Sequence, residues 1–196
     1  MVYDVISNVT IHGFRNAVRG SKFPMSVDVD SLTSDVTATT KKLGAAPPGS
    51  GHDNFLNGVI AQFDLTFTIK AWLEAERYHW FDFISSQSTV HKITRFDLDK
   101  QYIEYVDPRM IAIMKEKVAE YNNEQDPEKR KKLYLEILYS NPAGFKLTAA
   151  MTTNYRQLKT MIKQRHDHIL PEWIRFCEQV LEFPHFKELC GFEDEH

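Results

Sequence analysis

Between Val59 and Ile69 the chain alternates, with Phe63, Leu65, Phe67 and Ile69 apolar and Gln62, Asp64, Thr66 and Thr68 polar. A period of two sends neighbouring side chains to opposite faces, so this stretch predicts a strand with one buried face. Val5–Phe14 predicts another, on the alternation of Val9 and Ile11 with polar neighbours. After Lys70 the period changes. Ala71, Ala75, Tyr78 and Phe81 recur at helical spacing, which predicts a helix from Lys70 to Phe83 that Ser85–Thr89 ends, since hydroxyls compete for backbone bonds. Pro108 opens a helix striped by Met110, Ile111, Met114 and Val118. Asp126-Pro127, an N-cap followed by an N1 proline, opens one that carries Leu133, Tyr134, Ile137 and Leu138 and stops at the Asn141–Gly144 turn. Thr153 or Asn154 caps a third, with Tyr155, Leu158, Met161 and Ile162 on one face, and Pro171 opens a fourth holding Trp173, Ile174, Cys177 and Val180. Residues 31–51 are small, polar and rich in Gly and Pro, and predict a flexible loop; the phosphate-loop pattern GxxxxGK[ST] is absent there. The expected architecture is α/β, a single domain over residues 1–196 with an antiparallel-rich sheet and long packed helices.

Composition narrows the function classes. The 196 residues are 42% hydrophobic and 26% charged, ordinary for a globular chain. A formal net charge of -3 supplies no overall positive field, so no nucleic-acid or membrane partner is expected, although net charge hides local asymmetry. No apolar run approaches the ~20 residues of a membrane span, and the first residues lack the pattern of a secretory signal. Cys177 and Cys190 form no CxxC pair and read as reduced thiols of a cytoplasmic protein. His166 and His168 are two apart and do not share a helix face, so no metal is expected. Ser85, Ser86 and Ser88 lack a GxSxG setting and an identified base, and read as hydrogen-bond donors to an anion or as a loop.

Three segments carry a family resemblance. FTIKAWLEAERYHWFDFISSQS resembles the strand-helix-loop of the flavin-dependent thymidylate synthases (ThyX), in which an F-x-(I/V)-K-A strand end leads to the signature RHRxxSxNExSxRY. Lys70-Ala71 and Arg77 match, and Ser86 falls on the first Ser of the signature. Gly51-His52 resembles the family's G-H-E-(T/S)-P-F loop. NYRQLKTMIKQRHDHILPEWIRF is similar to its N-x-R-S-L and E-I-R helices, through Asn154, Arg156, Leu158, Arg165, Ile174 and Arg175. The signature itself is degenerate: Phe81-Asp82-Phe83 stands for Arg-His-Arg, Ser88-Thr89 for Asn-Glu, and His91 and Ile93 for the later Ser and Arg. The chain is also similar to phage-encoded proteins, as a specialised descendant would be.

The resemblance implies a ligand set of Arg175, Arg156, Arg165, His52, Ser86 and His91. It puts Arg175 where the family holds its nucleotide and His52 where the family's His approaches the flavin. It also implies a homo-oligomer, a tetramer in the family, with pockets built from several chains. The lost arginines matter because phenyl rings cannot form a bidentate phosphate clamp, and Asp82 repels phosphate. Fold survives such changes more readily than chemistry does. The expected function is therefore binding of a nucleotide or nucleotide-derived molecule, including sequestration of a nucleotide signal, without the parent methylation and with no cofactor expected. Two alternatives stand beside it: a flavin enzyme that holds FAD and acts on a uridine nucleotide, and a structural or assembly protein without a small ligand. Trp72, Tyr78, Trp80, Phe81 and Phe83 form an aromatic set suited to a core or to stacking on a base.

Overall fold

The computed structural model describes residues 3–192. Along the chain the strands and α-helices are β1 (Ile6–His12), α1 (Phe14–Gly20), α2 (Ala38–Ala45), β2 (Ile60–Thr68), α3 (Ile69–Ala75), β3 (Phe81–Ser86) and α4 (Thr89–Lys92). There follow α5 (Leu98–Gln101), α6 (Pro108–Asn123), α7 (Pro127–Ser140), β4 (Lys146–Asn154), α8 (Tyr155–Arg165), α9 (Pro171–Leu181) and α10 (Phe186–Cys190). The strands form one four-stranded sheet in the order β1-β2-β4-β3. This is the expected α/β class.

β2 behaves as its alternation predicts, burying Ala61, Phe63, Leu65 and Phe67 and turning the residues between them outward. β1 lies antiparallel to it, with Ile6 opposite Leu65 and His12 opposite Ile60 and a register shift between Ser7 and Thr10. Gly13 ends β1 at φ 75, and a Cβ there would sit 2.2 Å from the carbonyl oxygen of Gly58. Only glycine fits both demands.

Two sequence expectations are corrected. The helix expected over Lys70–Phe83 stops at Ala75, and the chain returns as strand β3 from Phe81. Trp80 sits at φ 61, in the left-handed region that no right-handed helix continues through. Phe81 then drives inward, where burial of a large ring outweighs local helical spacing. The flexible loop expected over residues 31–51 contains helix α2, which Thr37 caps by accepting the N–H of Thr40 at 3.2 Å. Its Ala38–Thr40 start carries no apolar stripe, so periodicity gave no warning.

The chain divides into two compact units. The first comprises Met1–Leu65, Ala75–Ile84 and Ala150–His196, and the second Thr66–Glu74 and Ser85–Ala149. In the first, Phe63 meets Phe81, Phe176 and Phe183 with ring centroids 6.3, 6.3 and 5.7 Å away. Helix α9 buries Trp173, Phe176, Cys177 and Val180 at i, i+3, i+4 and i+7, which leaves Ile174, expected on that face, partly exposed. In the second unit Phe145 is the centre. Phe96 and Tyr102 meet it edge-on at 5.3 and 5.2 Å, and Met114 of α6 and Ile137 of α7 complete the core. Helices α6 and α7 each open on an Asp-Pro pair, with Asp107 and Asp126 accepting first-turn N–H groups. Among the described residues no helix is long and apolar enough to cross a membrane.

Candidate functional site

Asn154 caps α8 by accepting the N–H of Gln157 at 2.9 Å. The helix therefore starts at Tyr155 and its first turns present Arg156, Gln157, Lys159 and Thr160. Tyr155, Leu158 and Ile162 occupy the buried face, and Lys159 lies within the same stripe. A lysine there must find acceptors or give up its charge. It finds three: the carbonyl oxygens of Gly44 and Ala46 at 2.6 and 2.5 Å and Asp53 Oδ2 at 3.2 Å. Three acceptors match the three protons of an ammonium group. Burial lowers the Lys159 pKa and the Asp53 carboxylate works against that shift. Lys159 and Asp53 are both 0% exposed.

The other carboxylate oxygen of Asp53 takes the Nε–H of Arg156 at 3.0 Å. One buried carboxylate thus bridges two cations, leaving an excess of one positive charge. With Nε committed, the plane of the Arg156 guanidinium is held while its two Nη groups have no hydrogen-bond partner among the described residues. Arg156 lines a cleft of about 530 Å³ in the first unit, together with Gly49, Asn57, Trp80, Gln157 and Thr160. The positive end of α8 adds to the field there.

Trp80 forms part of the wall of the same cleft and is 70% exposed. Its left-handed backbone is held by a 2.6 Å hydrogen bond from Thr153 Oγ1 to its carbonyl oxygen. A bulky residue in this region stores strain, on the order of 1–3 kcal/mol. Here the strain coincides with an indole left open to solvent. The cleft therefore offers a fixed, half-free guanidinium, an aromatic face, and the amide groups of Asn57 and Gln157. These suit an anion joined to a planar ring.

The other expected site residues are dispersed. His52 is exposed beside Asp53, and its N–H reaches Ser50 Oγ at 3.4 Å. Arg165 donates through Nε to Tyr78 Oη at 2.7 Å and lies over the Trp173 ring at 5.1 Å, in a smaller recess with His79. Arg175 is engaged by Asp4 at 2.5 Å and Glu178 at 2.8 Å, which raise its pKa, and it is not among the cleft-lining residues. Ser86, at the end of β3, and His91, in α4, are exposed residues of the second unit. Of the six, only Arg156 lines the cleft beside Trp80. Asp53 and Lys159 escaped the sequence reading. The signal for Lys159 was its place between Leu158 and Ile162 on an otherwise apolar stripe.

Searches of protein-family models and of curated proteins find no match to this sequence. Solved structures do match. The chain is similar to flavin dependent thymidylate synthase ThyX from Helicobacter pylori, in its complex with FAD and dUMP, at a TM-score of 0.70 and 13% identity, with 96% of this chain and 99% of that chain covered. A second structure of that protein with FAD and dUMP also gives a TM-score of 0.70 at 13% identity, covering 97% and 100%. The fold is therefore that of the flavin-dependent thymidylate synthases, as the sequence resemblance implied.

Proposed function

We propose that this chain binds a nucleotide or nucleotide-derived ligand in the cytoplasm, in the cleft lined by Arg156 and Trp80, without the parent methylation. The carrying observation is the Arg156 guanidinium, held at Nε by buried Asp53 and free at both Nη groups. A pre-oriented fork donates to two phosphate oxygens with little ordering cost. The Trp80 indole supplies a face for a base. The fold is shared with a protein solved twice with dUMP, which supports the same ligand class.

FAD fits these residues poorly. Where the resembling family sets Arg-His-Arg against the flavin, Phe81 is packed among core rings, and Asp82 and Phe83 are exposed. Neither a ring nor a carboxylate donates to a diphosphate. A binding or sequestering role follows in preference to flavin chemistry. Self-association belongs to the same reading, since β3 is an edge strand whose Phe83 and Ile84 are 51% and 56% exposed.

Tryptophan fluorescence tests the proposal. Titration with dUMP should quench emission in the parent protein and leave a Trp80→Phe variant silent. Quenching of equal amplitude in that variant would remove Trp80 from the site.

A further inference from the structure

The second unit carries a cation cluster that the nucleotide reading does not use. Its cleft, about 420 Å³, is lined by His91, Thr94 and Arg95 from one segment and by Arg130, Lys131 and Tyr134 of α7. Arg95, Arg130 and Lys131 have no ion-pair partner among the described residues. Of the nearby acids, Asp97, two positions from Arg95, pairs with Lys100 at 3.0 Å and Asp126 accepts the N–H groups of Glu128 and Lys129, while Glu128 lies two positions from Arg130 in sequence.

The walls are tied together. Tyr134 Oη donates to the carbonyl oxygen of Val90, next to His91, at 2.8 Å. The Tyr134 ring lies 5.2 Å from that of Tyr121, and the Arg130 guanidinium sits over Tyr121 at 4.6 Å. Stacking occupies a guanidinium's face and leaves its N–H edges able to donate. Because Asp126 already caps α7, its first N–H groups are taken and side chains must supply the binding.

We infer that this cleft is a second anion site, which takes an oligophosphate group on Arg95, Arg130 and Lys131. Three unpaired cations exceed the charge of a single phosphate monoester and suit a di- or triphosphate. The same chemistry is offered by free polyphosphate and by the tail of a nucleoside triphosphate.

The test is titration of the full chain with sodium tripolyphosphate at low ionic strength, read by calorimetry, in the parent protein and in Arg156→Ala. The second protein removes any contribution from the first unit's cleft. Binding should appear in both and weaken steeply with salt. Arg95→Ala and Lys131→Ala, both on exposed residues, should each weaken it on the order of tenfold while leaving the unliganded melting temperature unchanged. A nucleoside triphosphate that binds equally well assigns the phosphates alone, and one that binds more tightly assigns the nucleotide; either supports the site. No binding in the parent, or equal binding in the Arg95→Ala/Lys131→Ala double variant, would overturn it. So would tighter binding of a single-stranded oligonucleotide to these same residues, which would make the surface a nucleic-acid interface.

Discussion

Asp53 and Arg156 are 103 positions apart in sequence, yet the carboxylate accepts the arginine's Nε–H at 3.0 Å. The same carboxylate accepts a hydrogen bond from Lys159 Nζ at 3.2 Å. The pair fixes the loop before β2 to the first turn of α8 and at the same time aims the guanidinium. Removing Asp53 would leave a buried ammonium without its counter-charge.

Asp53→Ala is therefore expected to destabilise the protein by about 3–5 kcal/mol, or roughly 6–20 °C in melting temperature. Asp53→Asn keeps an acceptor and should cost less while still lowering nucleotide affinity, because the Arg156 plane loses its charged anchor. Thermal melts with and without dUMP check both. A fall of under about 1 kcal/mol for the alanine variant would contradict the bridging role.

The cysteines are expected to be inert in the native state. Burial pushes the Cys177 thiol up to about 12 and raises Cys190 further, so neither supplies thiolate near neutral pH. A thiol-reactive dye should label neither residue in the folded protein and both after denaturation. Rapid native labelling would show that α9 or α10 opens readily.

Stability is expected to fall on acidification, in part through Glu188. Lys41 and His185 lie 2.9 and 3.1 Å from its carboxylate and hold its pKa below the ordinary 4.5. A depressed carboxylate contributes stability that is present above its unfolded pKa and lost as pH falls through the folded value. Glu188→Gln should flatten the decline in melting temperature below about pH 4.5. An unchanged decline would assign the acid sensitivity to other groups.

Much of the scaffold was legible because its signals are local. The alternation around Phe63, Leu65 and Phe67 marked β2, and Asp-Pro pairs marked the starts of α6 and α7. Local signals failed where a distant partner decided. Phe81 has helical spacing from Ala71, but rings from β2 and α9 draw it into a strand. The site was legible at Arg156 only. Resemblance assigned Arg156 and Arg175 the same kind of role; the local sign that separates them is Glu178, three residues on, which pairs with Arg175, and Asp4, 171 positions away, adds a partner that no local reading shows. Asp53 is silent in sequence because a lone carboxylate in a loop looks solvated until the fold buries it.

The most direct measurement is calorimetric titration of dUMP into the parent protein and into Arg156→Ala. The account predicts saturable binding by the parent and affinity reduced on the order of tenfold or more in the variant. Because Lys159 still neutralises Asp53, the variant's unliganded melting temperature should stay within about 5 °C of the parent's. Arg156→Lys should recover part of the binding, since a point charge replaces a fork. Equal affinity in the parent and Arg156→Ala, or no heat in the parent up to millimolar dUMP, would contradict the central claim.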